Sequence, residues 1–188
     1  MLALSEERPV LVLYGVLALL LGAGDAFHLV PRVRRCRKGN EPSTEYRLGL
    51  GLKVSSITMT LFYLLLYAIY IQLYGAGSLV IAGILIASAA LRIILCLFPQ
   101  NNWHHYEESA KWSLARNLPF AVTGICMIIL LLKCGTAYGR SMAAAIIVSF
   151  GCYIPVTVFA KKYPAVGALM MPKTIAYVWM IALGLQMV

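Results

Sequence analysis

Charge is scarce in this 188-residue chain: Asp, Glu, Lys and Arg together make up 12% of it, where a soluble domain carries roughly a quarter. Acid is scarcer still, with seven Asp and Glu against sixteen Lys and Arg and a single Asp, Asp25. A soluble domain of this length could not hide the 61% that is apolar, so a water-soluble catalytic or regulatory module is excluded. The sequence also has no CxxC pair, no N-x-S/T sequon and no Walker, dinucleotide-binding or serine-hydrolase signature. Those gaps remove the usual warrant for a thiolate metal centre or a nucleotide site. The five cysteines, at 36, 96, 126, 134 and 152, lie mostly in or beside apolar runs. There Cys acts as a small hydrophobe, and no disulfide framework is expected. No low-complexity tract, linker or clear internal repeat divides the chain, which reads as one domain over 1–188 without the two-fold plan of many transporters.

What the sequence has is apolar length. Runs extend from Pro9 to Val30 and over 54–74, 78–98, 116–133, 142–160 and 167–187, each near the ~20 residues that cross a bilayer. The expected fold is an all-α integral membrane protein, a single bundle of about six transmembrane helices. The leading MLALSEER carries two Glu, the wrong sign for a signal peptide, so the first helix reads as uncleaved. Connections are short except for Arg32–Arg47 and Pro99–Ser113.

Orientation follows from the basic residues. With the N-terminus outside, thirteen of the sixteen Lys and Arg fall on the cytoplasmic side, and only Arg8, Lys133 and Arg140 on the other. This positive-inside bias predicts both termini outside the cytoplasm and explains the net charge of +9 without a nucleic-acid partner.

Small residues such as Gly83 with Ala87 permit close helix approach and need no functional reading. Tyr63, Tyr67, Tyr70 and Tyr74 form a stripe on the second helix. Packing plus an interfacial belt accounts for it, and lining a lipid or ligand cavity is the alternative.

Asp25 sits within the first apolar run, where an acid costs at least ~2.5 kcal/mol to insert and is by default a functional candidate. His28 follows three residues on, on the same helical face. Pairing with Lys or Arg on neighbouring helices could equally make both structural. Around them, Lys53, Ser56, Arg92, Arg116, Asn117 and Lys173 all fall in the cytoplasmic half, and the outer half reads as nearly apolar. This one-sided collection predicts a cavity open to the cytoplasm. Lys and Arg suit an anionic group such as phosphate, and Asp25 with Glu107 or Glu108 could supply general acid and base. His104 and Glu108 share a face if their loop is helical, yet a zinc site would need a further ligand from another helix. An interfacial segment anchored by Trp103 and Trp112 is the expected role of that loop. No metal and no cofactor is expected.

The stretch LLLGAGDAFHLVPR resembles the GDA-containing first motif of the YhhN-like lysoplasmalogenase family of small membrane proteins. GLKVSSITMTLFYLLLYAIY is similar to that family's next helix, with Gly and Ser before a Tyr-rich run. The resemblance is carried by Gly24 and Asp25, with Leu29, Pro31 and Arg32 as matching scaffold. It implies cleavage of the vinyl-ether bond of lysoplasmalogens, giving a fatty aldehyde and a glycerophospho-headgroup, with acidic residues doing the work. The HxxxH spacing of zinc-dependent ceramidase-like membrane hydrolases does not occur.

The expectation is therefore a membrane-embedded hydrolase of lysophospholipid-type substrates. Asp25, His28 and Glu108 are its catalytic candidates, and Lys53, Ser56, Arg92, Arg116, Asn117 and Lys173 its substrate-binding candidates. The competing readings are a non-enzymatic carrier or binding protein for an anionic solute or lipid, and a scaffold whose polar residues are structural. Membrane lipids and a small amphipathic or anionic substrate are the expected partners, with a homo-oligomer left open.

Overall fold

The computed structural model describes residues 3–38, 42–103, 110–159 and 162–186. Among these the protein is all-α. Six long helices run in chain order: α1 (Ala3–Lys38), α2 (Pro42–Tyr74), α3 (Leu79–Leu97), α4 (Ala110–Lys133), α5 (Ala137–Phe159) and α6 (Met170–Leu185). Short 3₁₀ turns, Pro99–Asn101 and Pro164–Leu169, lead out of α3 and into α6. All six segments are long and apolar enough to cross a membrane, with a mean hydropathy of 1.5 or more over the best window of each. The protein is a multi-pass membrane protein built as one helical bundle.

Helices form because a lipid-embedded backbone must satisfy its polar groups internally. They stop where the chain demands it. Gly75 (φ 79°) and Gly135 (φ 70°) end α2 and α4 in the left-handed conformation, which costs glycine nothing. The Gly75 N–H donates back to the Ile71 carbonyl at 2.9 Å.

Three helices are longer than hydropathy indicates. The segment Arg32–Arg47, expected as a connecting loop, is helical up to Lys38 and again from Pro42. α2 thus begins twelve residues before the expected position 54. Likewise α4 begins at Ala110 rather than 116. Hydropathy marks where a helix leaves the apolar layer, whereas backbone hydrogen bonding continues through Arg, Lys and Leu, all good helix formers. With 36 residues α1 is about 54 Å long, well beyond a ~30 Å hydrocarbon core.

α2 and α4 are the central helices: 44% and 50% of their spanning windows are buried, against 28% or less for the others. Their neighbours present Leu, Ile and Val outward, among them Leu19, Leu79, Val80 and Ile175. Water would reject such faces and lipid accepts them. The core between them is aromatic and sulfur-rich. Phe62 meets Tyr177 edge-on at 5.3 Å and Tyr63 meets Phe120 at 5.3 Å, with Met127, Met142 and Met180 fully buried around them. Of the tyrosine stripe, Tyr63, Tyr67 and Tyr70 are buried core residues. α1 packs along α2, and Gly24 is buried at that contact, so close to Thr58 that a Cβ there would collide with its side chain.

Candidate functional site

Up-and-down connectivity brings the last turns of α3 and α5 and the first turns of α4 and α6 to one end of the bundle. The second half of α1 and the first half of α2 reach the same end. Arg92 comes from α3, Arg116 and Asn117 from α4, Tyr153 from α5, Lys173 and Tyr177 from α6, Lys53 from α2 and Asp25 from α1.

Arg92 lies deepest. It is 2% exposed, its guanidinium carbon sits 3.4 Å from the centre of the Phe120 ring, and its Nε and Nη1 have no hydrogen-bond partner. The groups acting on it electrostatically are Tyr153, Cys96, Tyr177 and a second cation, Arg116. Among the described residues no acid acts on it. An unpaired buried ion costs several kcal/mol even after relaxation, and a desolvated cation–π contact returns ~2 kcal/mol. Phe120 therefore does not balance the burial of Arg92, and spare N–H donors on a buried cation mark a place for an anion.

The other cations are arranged around it. Arg116, 4% exposed, donates through Nη1 to Asn101 Oδ1 and stacks 4.3 Å above Trp103. Asn101 in turn donates to the Leu95 and Phe98 carbonyls at 2.7 and 2.8 Å, and Trp103 Nε1 donates to the Cys96 carbonyl at 3.0 Å. The turn after α3 thereby closes the open carbonyls of that helix and holds Arg116 in one gesture. The Cys96 thiol lies within electrostatic reach of Arg92, Arg116 and Lys53. Asn117 accepts a 2.8 Å hydrogen bond from the Tyr153 hydroxyl. Lys173 Nζ stands 4.7 Å from the Tyr153 ring and 5.4 Å from the Tyr177 ring. Asn101→Ala is expected to lower stability by about 1–3 kcal/mol, because it strips two carbonyls and Arg116 of a partner. Thermal unfolding in detergent measures this, and an unchanged midpoint would refute the capping role.

Asp25 is half-buried, and among the described residues the charge acting on its carboxyl is Lys173. Lys173 stands over the Tyr153 and Tyr177 rings, and both tyrosines also act on Arg92, so these side chains link the acid to the buried guanidinium. Ser56 donates to the Leu52 carbonyl at 2.8 Å, so its proton is committed to its own helix while its oxygen can still accept. Glu108, with Glu107, His104 and His105, lies outside the described residues, as does the side chain of His28. Among the described residues no three His, Cys, Asp or Glu side chains converge as metal ligands would.

Two expectations are corrected. Trp103 is not an interfacial anchor: it is 9% exposed and buried through its indole hydrogen bond, since the turn folds back beneath α3. The far end of the bundle is not purely apolar either. There Tyr14 and Tyr138 pair hydroxyl to hydroxyl, Tyr74 meets Thr136 at 3.0 Å, and a cavity of about 390 Å³ is lined by Tyr70, Tyr74, Ser78, Leu130, Lys133 and Cys134. Tyrosine counts as apolar in composition but brings a hydroxyl that seeks a partner once buried.

Phe120, Tyr153 and Tyr177, which wall the cationic site, were missed as site residues. A signal for two of them was present: Phe120 follows Arg116, and Tyr177 follows Lys173, by four residues, the spacing that stacks side chains on one helical face. Fold and side chains together define a multi-pass membrane protein with a cationic, aromatic-walled site at one end of its bundle. Comparison with family models, curated proteins and solved structures finds no match to this chain.

Proposed function

We propose that the protein is a membrane-embedded hydrolase of single-chain phospholipids, with lysoplasmalogenase-like cleavage of an enol-ether bond. The observation that carries this reading is Asp25, an acid half-buried in a transmembrane helix within electrostatic reach of Lys173, which belongs to the group of basic side chains at the same end of the bundle. The lipid tail lies among the apolar helices, and Lys53, Arg92, Arg116 and Lys173 face the phosphate. The Asp25 carboxyl donates its proton to the enol-ether carbon remote from oxygen, leaving an oxocarbenium ion. The resulting carboxylate takes a proton from water as the water adds to the carbon that bears oxygen. The hemiacetal so formed breaks into a fatty aldehyde and a free glycerol hydroxyl. General acid–base chemistry of this kind needs no serine nucleophile and no metal.

The site is proposed to open to the cytoplasm, following the positive-inside rule. Six spans place the two ends of the bundle chain on one side, and the thirteen-to-three split of basic residues assigns that side to the exterior. Cysteines introduced at the ends of a cysteine-free variant should react with an impermeant reagent applied from outside. Labelling only after permeabilisation would reverse the map.

Purified protein incubated with matched lysophospholipids, with and without the vinyl ether, tests the activity. Aldehyde release from the vinyl-ether substrates is expected. The polar cavity at the opposite end favours a second reading, a carrier for an anionic solute, because a carrier needs polar access from both sides. A protein that releases no aldehyde yet moves an anion across vesicles would establish the carrier in place of the hydrolase.

A further inference from the structure

We infer that the cavity at the far end of the bundle is a second binding site, which takes the phosphate of a phospholipid headgroup from the leaflet beside it. The inference goes beyond the hydrolase reading and uses none of its residues.

The cavity forms where α2 ends, α3 begins and α4 ends, so helix termini and the turn between α2 and α3 supply its wall. Its volume of about 390 Å³ falls within the ~300–1,000 Å³ of small-molecule pockets. Tyr70, in that wall, is the residue that points to a ligand. It is 5% exposed, yet its hydroxyl makes no hydrogen bond among the described residues. A Cβ on Gly77 would lie 3.1 Å from that oxygen, which sets the hydroxyl under the turn at the cavity wall. A buried tyrosine hydroxyl ordinarily finds a partner. This one offers its proton to the cavity.

The groups beside it suit a negative oxygen. Ser78 caps the 19-residue α3 without a side-chain bond, and the first backbone N–H taken up within that helix is Ala82, by the Ser78 carbonyl. The open N–H groups of the first turn and the helix dipole favour an anion. Lys133, from the end of α4, adds a full positive charge of the kind that binds phosphate as a point charge. Among the described residues no Asp or Glu lines the cavity. Hydroxyl, ammonium and helix terminus therefore face one space.

The surface next to the cavity argues for a lipid as the source of the phosphate. Leu79 and Val80, which follow Ser78, are exposed on the outside of the bundle, and Ile84 continues that apolar face along α3. A lipid with its head in the cavity can lay its chains there. A free phosphate gains nothing from it.

Cys134, half-buried in the cavity wall, reports occupancy without any substitution. Its alkylation in the purified full chain, read by peptide mass spectrometry, is followed with three probes: a short-chain phosphatidylglycerol, the diacylglycerol of the same chains, and inorganic phosphate. The phospholipid at about ten times its Kd should slow labelling roughly tenfold by mass action, and the other two should slow it little at the same concentration. Lys133→Gln changes an exposed side chain and should raise the lipid concentration for half protection by about tenfold, the scale of a charged hydrogen bond. Tyr70→Phe should raise it severalfold and melt no lower than the natural chain, because the hydroxyl it removes bonds nothing in the protein. Equal protection by diacylglycerol would make the cavity a mere apolar groove and overturn the inference. So would half protection unchanged in either variant, or a lower melting point for Tyr70→Phe. Inorganic phosphate that protects as well as the lipid would mean a free-anion site, and the lipid assignment would fail. Protection by the phospholipid in a chain that releases no aldehyde would leave this inference standing and sink the hydrolase alone.

Discussion

Asp25→Asn is expected to cut turnover by about 10²–10⁴-fold, the usual cost of losing a general acid–base group, while lipid binding and folding stay close to those of the natural chain. Asn has nearly the same shape as Asp, but it can neither deliver a proton to the enol ether nor accept one from water. The readout is aldehyde release at saturating lipid, paired with a thermal midpoint and a binding isotherm on the same preparation. A structural acid behaves in the opposite way: the midpoint falls and the rate per folded molecule is kept. Unchanged hydrolysis in the Asn variant would remove Asp25 from the mechanism.

A marked loss of stability is also expected from substitution at Gly49. It is buried where α2 crosses the turn after α3, and a Cβ built there lands on the Trp103 carbonyl, a backbone group that no rotamer change can move aside. Gly49→Ala should therefore destabilise by about 1–3 kcal/mol, the typical penalty of overpacking. It should also weaken anion binding, because Trp103 supports Arg116. Gly15→Ala is the matched control. Gly15 lies in a helix with nothing within 4 Å of its added Cβ, so its change should be neutral or slightly stabilising through helix propensity. Comparing thermal unfolding of the two variants decides the matter, and equal midpoints would mean that α2 and the turn do not touch as described.

Much of the fold was legible because membrane spans are written in long apolar runs, and about 20 residues of apolar helix have few alternatives in lipid. Helix ends were less legible. The continuation of α1 to Lys38 and the start of α2 at Pro42 follow backbone hydrogen bonding, to which hydropathy is blind. For the site, the gathering of Lys53, Arg92, Arg116 and Lys173 at one end could be read from helix direction alone, since each lies at a known distance along its span. Which of them is buried could not. Arg92 and Lys133 are both cations near helix termini, yet one is 2% exposed in the interior and the other is open to the surroundings.

The sequence by itself determined the class of molecule, the number of spans and the end at which charge collects. These depend on composition and order along the chain, properties that survive without any knowledge of contacts. Tertiary structure alone decided that Arg92 rests on Phe120 with unpartnered donors, that Asn101 and Trp103 hold the turn against α3, and that Asp25 answers to Lys173. These are meetings between helices distant in sequence. Their geometry depends on how each helix is rotated about its axis when the bundle packs, and no local pattern of residues encodes that rotation.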